Sequence, residues 1–271
     1  MKKFCLGIIA AIGLLLTPTV ISHADKINLK AVNANVHRYY RTNRAVTIKV
    51  GVRDKTGKHY TSRRLTLPKN TIVSSTSSGT NNKGQLDQIN INVQSLSYAV
   101  EKPILKTGNY LSKQDPTTSY SAARFTRVKR PAYRLAYSSG DLYAGKVPSA
   151  QDNFYQTNQV MITTDGYLEY YRYDPSSPIA DPTSGFKTKP TAAAKITATK
   201  LKGNSRWLYT KTSVKGVGQK YIHKSGNYRY RLRITNLHDP QTRNFEDGPG
   251  FYSYYTIGGK RFYTLIGNDS A

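Results

Sequence analysis

Arg229, Arg231 and Arg233 alternate with Tyr228, Tyr230, Leu232 and Ile234. In an extended strand alternate side chains point the same way and stand about 6.6–6.8 Å apart, twice the rise per residue. The run therefore predicts a strand that buries its Tyr, Leu and Ile and presents three guanidinium groups in a row. Each guanidinium can hold a phosphate with two hydrogen bonds, and the row is comparable in spacing to successive phosphates of an extended polyanion. A second cluster, Arg124, Arg127, Lys129, Arg130 and Arg134, is interleaved with Phe125, Tyr133 and Tyr137. A third, Arg38, Arg41 and Arg44, surrounds Tyr39 and Tyr40, and Arg63 and Arg64 are candidates to join it. For one isolated cluster a solvated strand face is the plain reading. Three such clusters on one basic chain favour contact with a polyanion.

The whole composition points the same way. Against 41 Lys and Arg the 271 residues hold only 15 Asp and Glu, a formal charge of +26. Other chemistries lack their residues. The single Cys, Cys5, leaves no disulfide framework, no Cys-rich zinc module and no thiol nucleophile in the mature chain. His37, His59, His223 and His238 lie apart, without metal-ligand spacing, so no metal or cofactor is expected. Strings typical of penicillin-binding enzymes occur as Ser184-Gly-Phe-Lys187, Ser225-Gly-Asn227 and Lys106-Thr-Gly108 or Lys55-Thr-Gly57, but in the wrong order. The carboxylate pairs open to a glycosidase are Asp165 with Glu169 and Glu246 with Asp247, and Asp165-Gly166 reads more simply as a turn. The expectation is a protein without catalytic activity, with a wall-acting hydrolase as an alternative.

Residues 1–24 read as a secretory signal peptide: Lys2 and Lys3, an apolar run from Phe4 to Leu16, a break at Pro18, and Ser22-His23-Ala24 before a cleavage at Asp25. Cys5 sits inside the apolar run without the small residues that precede an acylated cysteine, so no lipid anchor is expected. Loss of Lys2 and Lys3 takes the charge from +26 to +24. Secretion with retention at the cell wall is the expected location, and no stable membrane span is expected after cleavage.

Alternation of period two dominates the mature chain, as in Val46, Ile48, Val50, Val52 and in Ile89, Ile91, Val93, and no stretch of helical period matches it in length. Six polar turns with Gly are followed closely by Tyr, at Gly57, Gly108, Gly140, Gly166, Gly226 and Gly258-Gly259, and read as hairpins. The fold class is all-β: two or three small antiparallel β-barrel or β-sandwich modules in tandem after the signal peptide. The expected boundaries are an N-terminal module over 26–107, a linker over 108–123, a middle segment over 124–174, a Pro-rich linker or loop over 175–190, and a C-terminal module over 191–271. The last two are either separate or packed as one domain.

The stretch from Asp54 to Tyr60 and on through Arg64-Leu65-Thr66-Leu67-Pro68-Lys69-Asn70-Thr71-Ile72-Val73 resembles the strand, turn, strand pattern of wall-attachment repeats in surface proteins of lactobacilli and their relatives. Tyr254 to Tyr263 is similar to the closing hairpin of such a repeat. The resemblance covers about a third of the chain and implies a small barrel of the bacterial Src-homology type, or a surface-layer attachment module, that holds anionic wall polymers non-covalently. The expected partner is thus teichoic acid or peptidoglycan, with sulfated glycans or extracellular nucleic acid as the alternative polyanions.

Overall fold

The computed structural model describes residues 38–54, 58–105, 110–111, 116–136, 138, 140–148, 156–175, 189–223, 225–245 and 248–268. The segment 1–24 expected as a signal peptide lies outside the described residues, as do the turns expected at Gly57 and Gly108, the carboxylates Glu246 and Asp247, and residues 176–188 of the expected Pro-rich linker or loop.

The N-terminal unit holds β1 (Arg38–Thr42), β2 (Val46–Arg53), β3 (Tyr60–Leu67), β4 (Ile72–Thr80), β5 (Leu86–Ile91), a 3-10 turn (Val93–Ser95), α1 (Tyr98–Leu105), β6 (Tyr110–Leu111), β7 (Thr117–Ser119) and β8 (Phe125–Val128). Its strands form one sheet in the order β7-β5-β4-β1-β8 and a second in the order β3-β2-β6, all antiparallel. The alternation in β2 does what period two requires: Val46, Ile48, Val50 and Val52 are buried while Thr47, Lys49 and Arg53 face water. Those four meet Leu65 and Leu67 of β3 and Val73, Ile89, Ile91 and Phe125 of the other sheet in one core, closed by Ile104 and Leu105 of α1.

The C-terminal unit holds β9 (Asp141–Ala144), β10 (Gln159–Ile162), β11 (Tyr167–Tyr171), β12 (Ala192–Lys202), β13 (Ser205–Thr210), β14 (Lys220–Tyr221), β15 (Tyr230–Phe245), β16 (Gly248–Ile257) and β17 (Lys260–Asn268). From β9 to β13 each strand pairs antiparallel with the next, β13 pairs with β15, β15 with β16, β16 with β17, and β17 returns to β9, which closes an eight-stranded up-and-down barrel, with β14 paired to β15 as a ninth strand. Full closure leaves no long edge among the eight strands. Leu142, Val160, Ile162, Leu168, Leu208, Leu232, Ile234 and Ile257 fill the interior, each such burial stabilising by about 1.5–3 kcal/mol.

Strand pairing redraws the expected boundaries. Residues 108–123 supply β6 and β7 to the N-terminal sheets instead of linking modules, and Phe125–Val128 pairs with β1, so the N-terminal unit extends through Val128. The rest of the middle segment gives β9, β10 and β11, which share one barrel with β12, β13 and β15–β17. The hairpin at Tyr254–Tyr263 is present as β16–β17, within a meander barrel of eight strands. Of the Gly–Tyr turns, Gly166, Gly226 and Gly258-Gly259 connect strands, all at positive φ. Gly140 instead leads into β9, with the Arg134 guanidinium packed against it.

A buried polar network joins the units. Thr164 N–H donates to Ser95 O at 2.8 Å, and Ser74, Ser95 and Thr164 hydroxyls stand in line at 3.0 and 3.3 Å. Asp165, in the β10–β11 turn, accepts from Ser97 N–H at 2.8 Å and Ser97 Oγ at 2.5 Å, while Glu169 of β11 accepts from Tyr98 N–H at 2.8 Å and Tyr171 OH at 2.7 Å. The two carboxylates thereby cap the amino end of α1, whose first turn leaves those N–H groups without helical partners. Burial first, then the charge of Glu169, push the Tyr171 phenol well above its ordinary value, which keeps it a donor to Glu169. Sequence periodicity missed α1, because eight residues that include Pro103 are a poor helix without caps supplied by distant residues.

Candidate anion-binding groove

Three neighbouring strands of the barrel wall carry long polar or aromatic side chains at their outward positions. On β15 Leu232 and Ile234 point into the core, so Arg231 and Arg233 point out, as the alternation in the sequence requires. On β13 Leu208 and Thr210 are buried, which turns Trp207 and Tyr209 outward, and on β12 Lys200 and Lys202 are exposed. Cross-strand register then sets these side chains level with one another. Lys200 pairs with Trp207 and Trp207 with Arg233; Tyr209 pairs with Arg231, which also pairs with Lys220 of β14. A row of lysines, a row of aromatics and a row of arginines therefore lie side by side.

These residues line a groove of about 780 Å³ completed by Thr235, Thr256 and the glycines 218, 258 and 259. Five cations and no carboxylate line it. Arg233 is held in place, since its Nε–H donates to Ser205 Oγ at 3.2 Å and its guanidinium lies 5.8 Å over the Trp207 ring. The Ser205 hydroxyl is in turn 2.9 Å from Thr235 Oγ1. Beyond Tyr209 the aromatic surface continues, for Tyr228 stands edge-on to it at 5.9 Å and is 53% exposed.

One end of the groove depends on close backbone approach. At Gly258, φ is +55°, and a Cβ there would lie 2.7 Å from Val217 O and 3.2 Å from Gly218 Cα. Gly258→Ala should destabilise the fold by about 2 kcal/mol through the strained conformation and the displaced 214–219 loop. A urea midpoint equal to that of the parent chain would show that the loop does not press on the β16–β17 turn.

The structure treats the sequence-predicted arginines unequally. Arg231 and Arg233 line the groove together. Arg229 precedes β15, half-buried with its guanidinium 6.0 Å over Tyr230, and is not among the lining residues. Arg134 is only 1% exposed and donates to Ile162 O, so it braces the barrel interior and is unavailable to a polymer. Arg124 is committed to Ser119 O at 2.9 Å, to Ser119 Oγ and to Thr118 Oγ1, and it lies over Phe125. Pairing of β1 with β8 brings Arg41 and Arg127, exposed and distant in sequence, onto neighbouring strands. Arg38, bonded to Ser78 Oγ, and Arg44, Lys129 and Arg130 are also exposed. Burial, then the charge of Arg130, hold the Arg206 guanidinium below the ordinary arginine range.

Lys200, Lys202, Lys220, Trp207 and Tyr209 are members of the groove that the arginine pattern alone does not reveal. A signal for four of them was available in Lys202-Gly203-Asn204-Ser205, a two-residue hairpin turn that dictates the pairing of Lys200 with Trp207 and sets the rows of β12 and β13 side by side. Among the described residues no group of three or more His, Cys, Asp or Glu could hold a metal ion, and no helix is long and apolar enough to cross a membrane. No family model, curated protein or solved structure matches the chain.

Proposed function

We propose that the chain is exported by the segment 1–24, cleaved before Asp25, and retained at a Gram-positive cell surface by non-covalent binding of anionic wall polymer, teichoic acid foremost, in the groove on the barrel wall. The observation that carries this reading is five cations and no carboxylate around an aromatic row on the wall of a closed sheet. Charge steers the protein to the polymer, and paired cations on each strand take successive anions. The resemblance of the 54–73 and 254–263 segments to wall-attachment repeats supports the same partner. Retention then needs no catalytic turnover. The hydrolase alternative is disfavoured by the engagement of Asp165 and Glu169 with Ser97, Tyr98 and Tyr171, which leaves their carboxylates spent on capping α1.

The test is co-sedimentation of the 25–271 protein with purified Gram-positive walls before and after acid extraction of teichoic acid. Extraction should remove most of the bound protein, and undiminished binding would move the search to peptidoglycan or a protein partner. The aromatic row also suits stacking of bases or sugars, which keeps sulfated glycans and extracellular nucleic acid as a second reading. Competition of wall binding by teichoic acid, heparin and DNA ranks the three. Salt dependence alone does not, because every polyanion releases counterions on binding.

A further inference from the structure

Lys200, Trp207 and Arg233 stand level on three adjacent strands. Adjacent strands lie about 4.8 Å apart, so the lysine and arginine rows are separated by roughly 10 Å with the indole between them. A second ring, Tyr209, follows about 6.7 Å along β13 on the same face. Trp207 is half-buried, which leaves part of its indole to solvent. Arg233 is fixed beside it by Ser205 and does not depend on a ligand for its orientation.

We infer that the groove selects an anionic polymer whose repeat carries a sugar ring, a glycosylated phosphodiester chain, over a bare polyol phosphate. The inference rests on the reading of the groove as a wall-polymer site and specifies the chemical class of that polymer. A bare chain of phosphates can satisfy one cation row and leaves the aromatic row wet. A sugar ring laid on Trp207 covers the indole and fills the gap between the rows. Phosphates on either side of the ring then reach Lys200 and Arg233 together. Stacking is short-ranged and little screened by salt, so the ring contributes selectivity where the cations contribute general attraction for any polyanion.

The experiment is titration of the 25–271 protein with one wall teichoic acid in two forms, native and stripped of its sugar substituents, alongside polyphosphate and a thymidine oligonucleotide. Loss of the sugar should weaken binding to the parent protein about tenfold, the size of one lost ring stack. Trp207→Ala should bind the two forms alike. Trp207→Phe, which keeps a ring, should recover most of the preference and excludes a mere folding defect. Equal binding of both forms by the parent protein overturns the inference and leaves the wall-polymer reading intact. Tighter binding of the oligonucleotide than of the glycosylated polymer also overturns it, in favour of bases as the stacked rings. Failure of both teichoic acids to bind sinks the underlying reading along with it.

Discussion

Replacing Arg231 and Arg233 together by Glu should lower affinity for teichoic acid about a thousandfold at low salt. Each cation near an anionic polymer contributes about 1 kcal/mol, and reversal both removes that attraction and adds a repulsion of similar size, so two reversals sum to about 4 kcal/mol. The salt dependence should fall as well, by about 1.4 in the slope of log K against log salt, because two fewer counterions are released per site at about 0.7 each along a single-stranded chain. The paired control is Arg63→Glu with Arg64→Glu on β3, exposed residues that are not among the groove's lining. It changes the net charge by the same amount. If binding tracked net charge alone, both double variants would fall equally. A groove predicts that the β3 variant loses little beyond long-range steering, and equal losses measured by titration calorimetry would reject a localised site.

How much of this could be read from the sequence depends on how local each cause is. Alternation in β2 and β15 is a property of adjacent residues, and burial of Val46, Ile48, Leu232 and Ile234 follows it directly. The outward direction of Arg231 and Arg233 comes with it. Position in the sequence is a poorer guide to Arg134, which sits in a basic run yet turns inward, where Gly140 leaves space for its guanidinium and Ile162 O accepts its hydrogen bond. Local alternation cannot signal that exchange, since it arises from the meeting of residues 28 positions apart. Closure of the barrel through β13–β15 and β17–β9 is non-local in the same sense, and with it the placing of the arginine row beside Trp207. Likewise β8 reads as the start of a new segment because its partner, β1, lies more than 80 residues earlier. Short-range signals thus reveal rows, and only the sheet order reveals which rows become neighbours.

Asp165→Ala should be the most damaging single change outside the groove. The carboxylate is 8% exposed and accepts both the N–H and the hydroxyl of Ser97. Hydrogen bonds to a charged acceptor contribute about 1.5–3 kcal/mol each, and their donors would be left buried without a partner, so the expected cost is about 3–5 kcal/mol. For a chain of this size that corresponds to a Tm lower by roughly 10 °C. Asp165→Asn keeps one acceptor oxygen and should cost about half as much. The two readings of Asp165 part company here. If it serves to cap α1 and tie the units together, the variant loses thermal stability while the folded fraction still binds teichoic acid with the parent affinity, because the groove is built on other strands. If it belonged to a hydrolytic pair with Glu169, Asp165→Asn would abolish release of wall fragments at a temperature where the protein remains folded. Scanning calorimetry together with polymer titration and an assay of wall-fragment release at 25 °C separates these outcomes. The geometry favours the first, since Asp165 accepts from Ser97 N–H and Oγ, Glu169 accepts from Tyr98 N–H and from Tyr171 OH of its own strand, and neither carboxylate lines the groove.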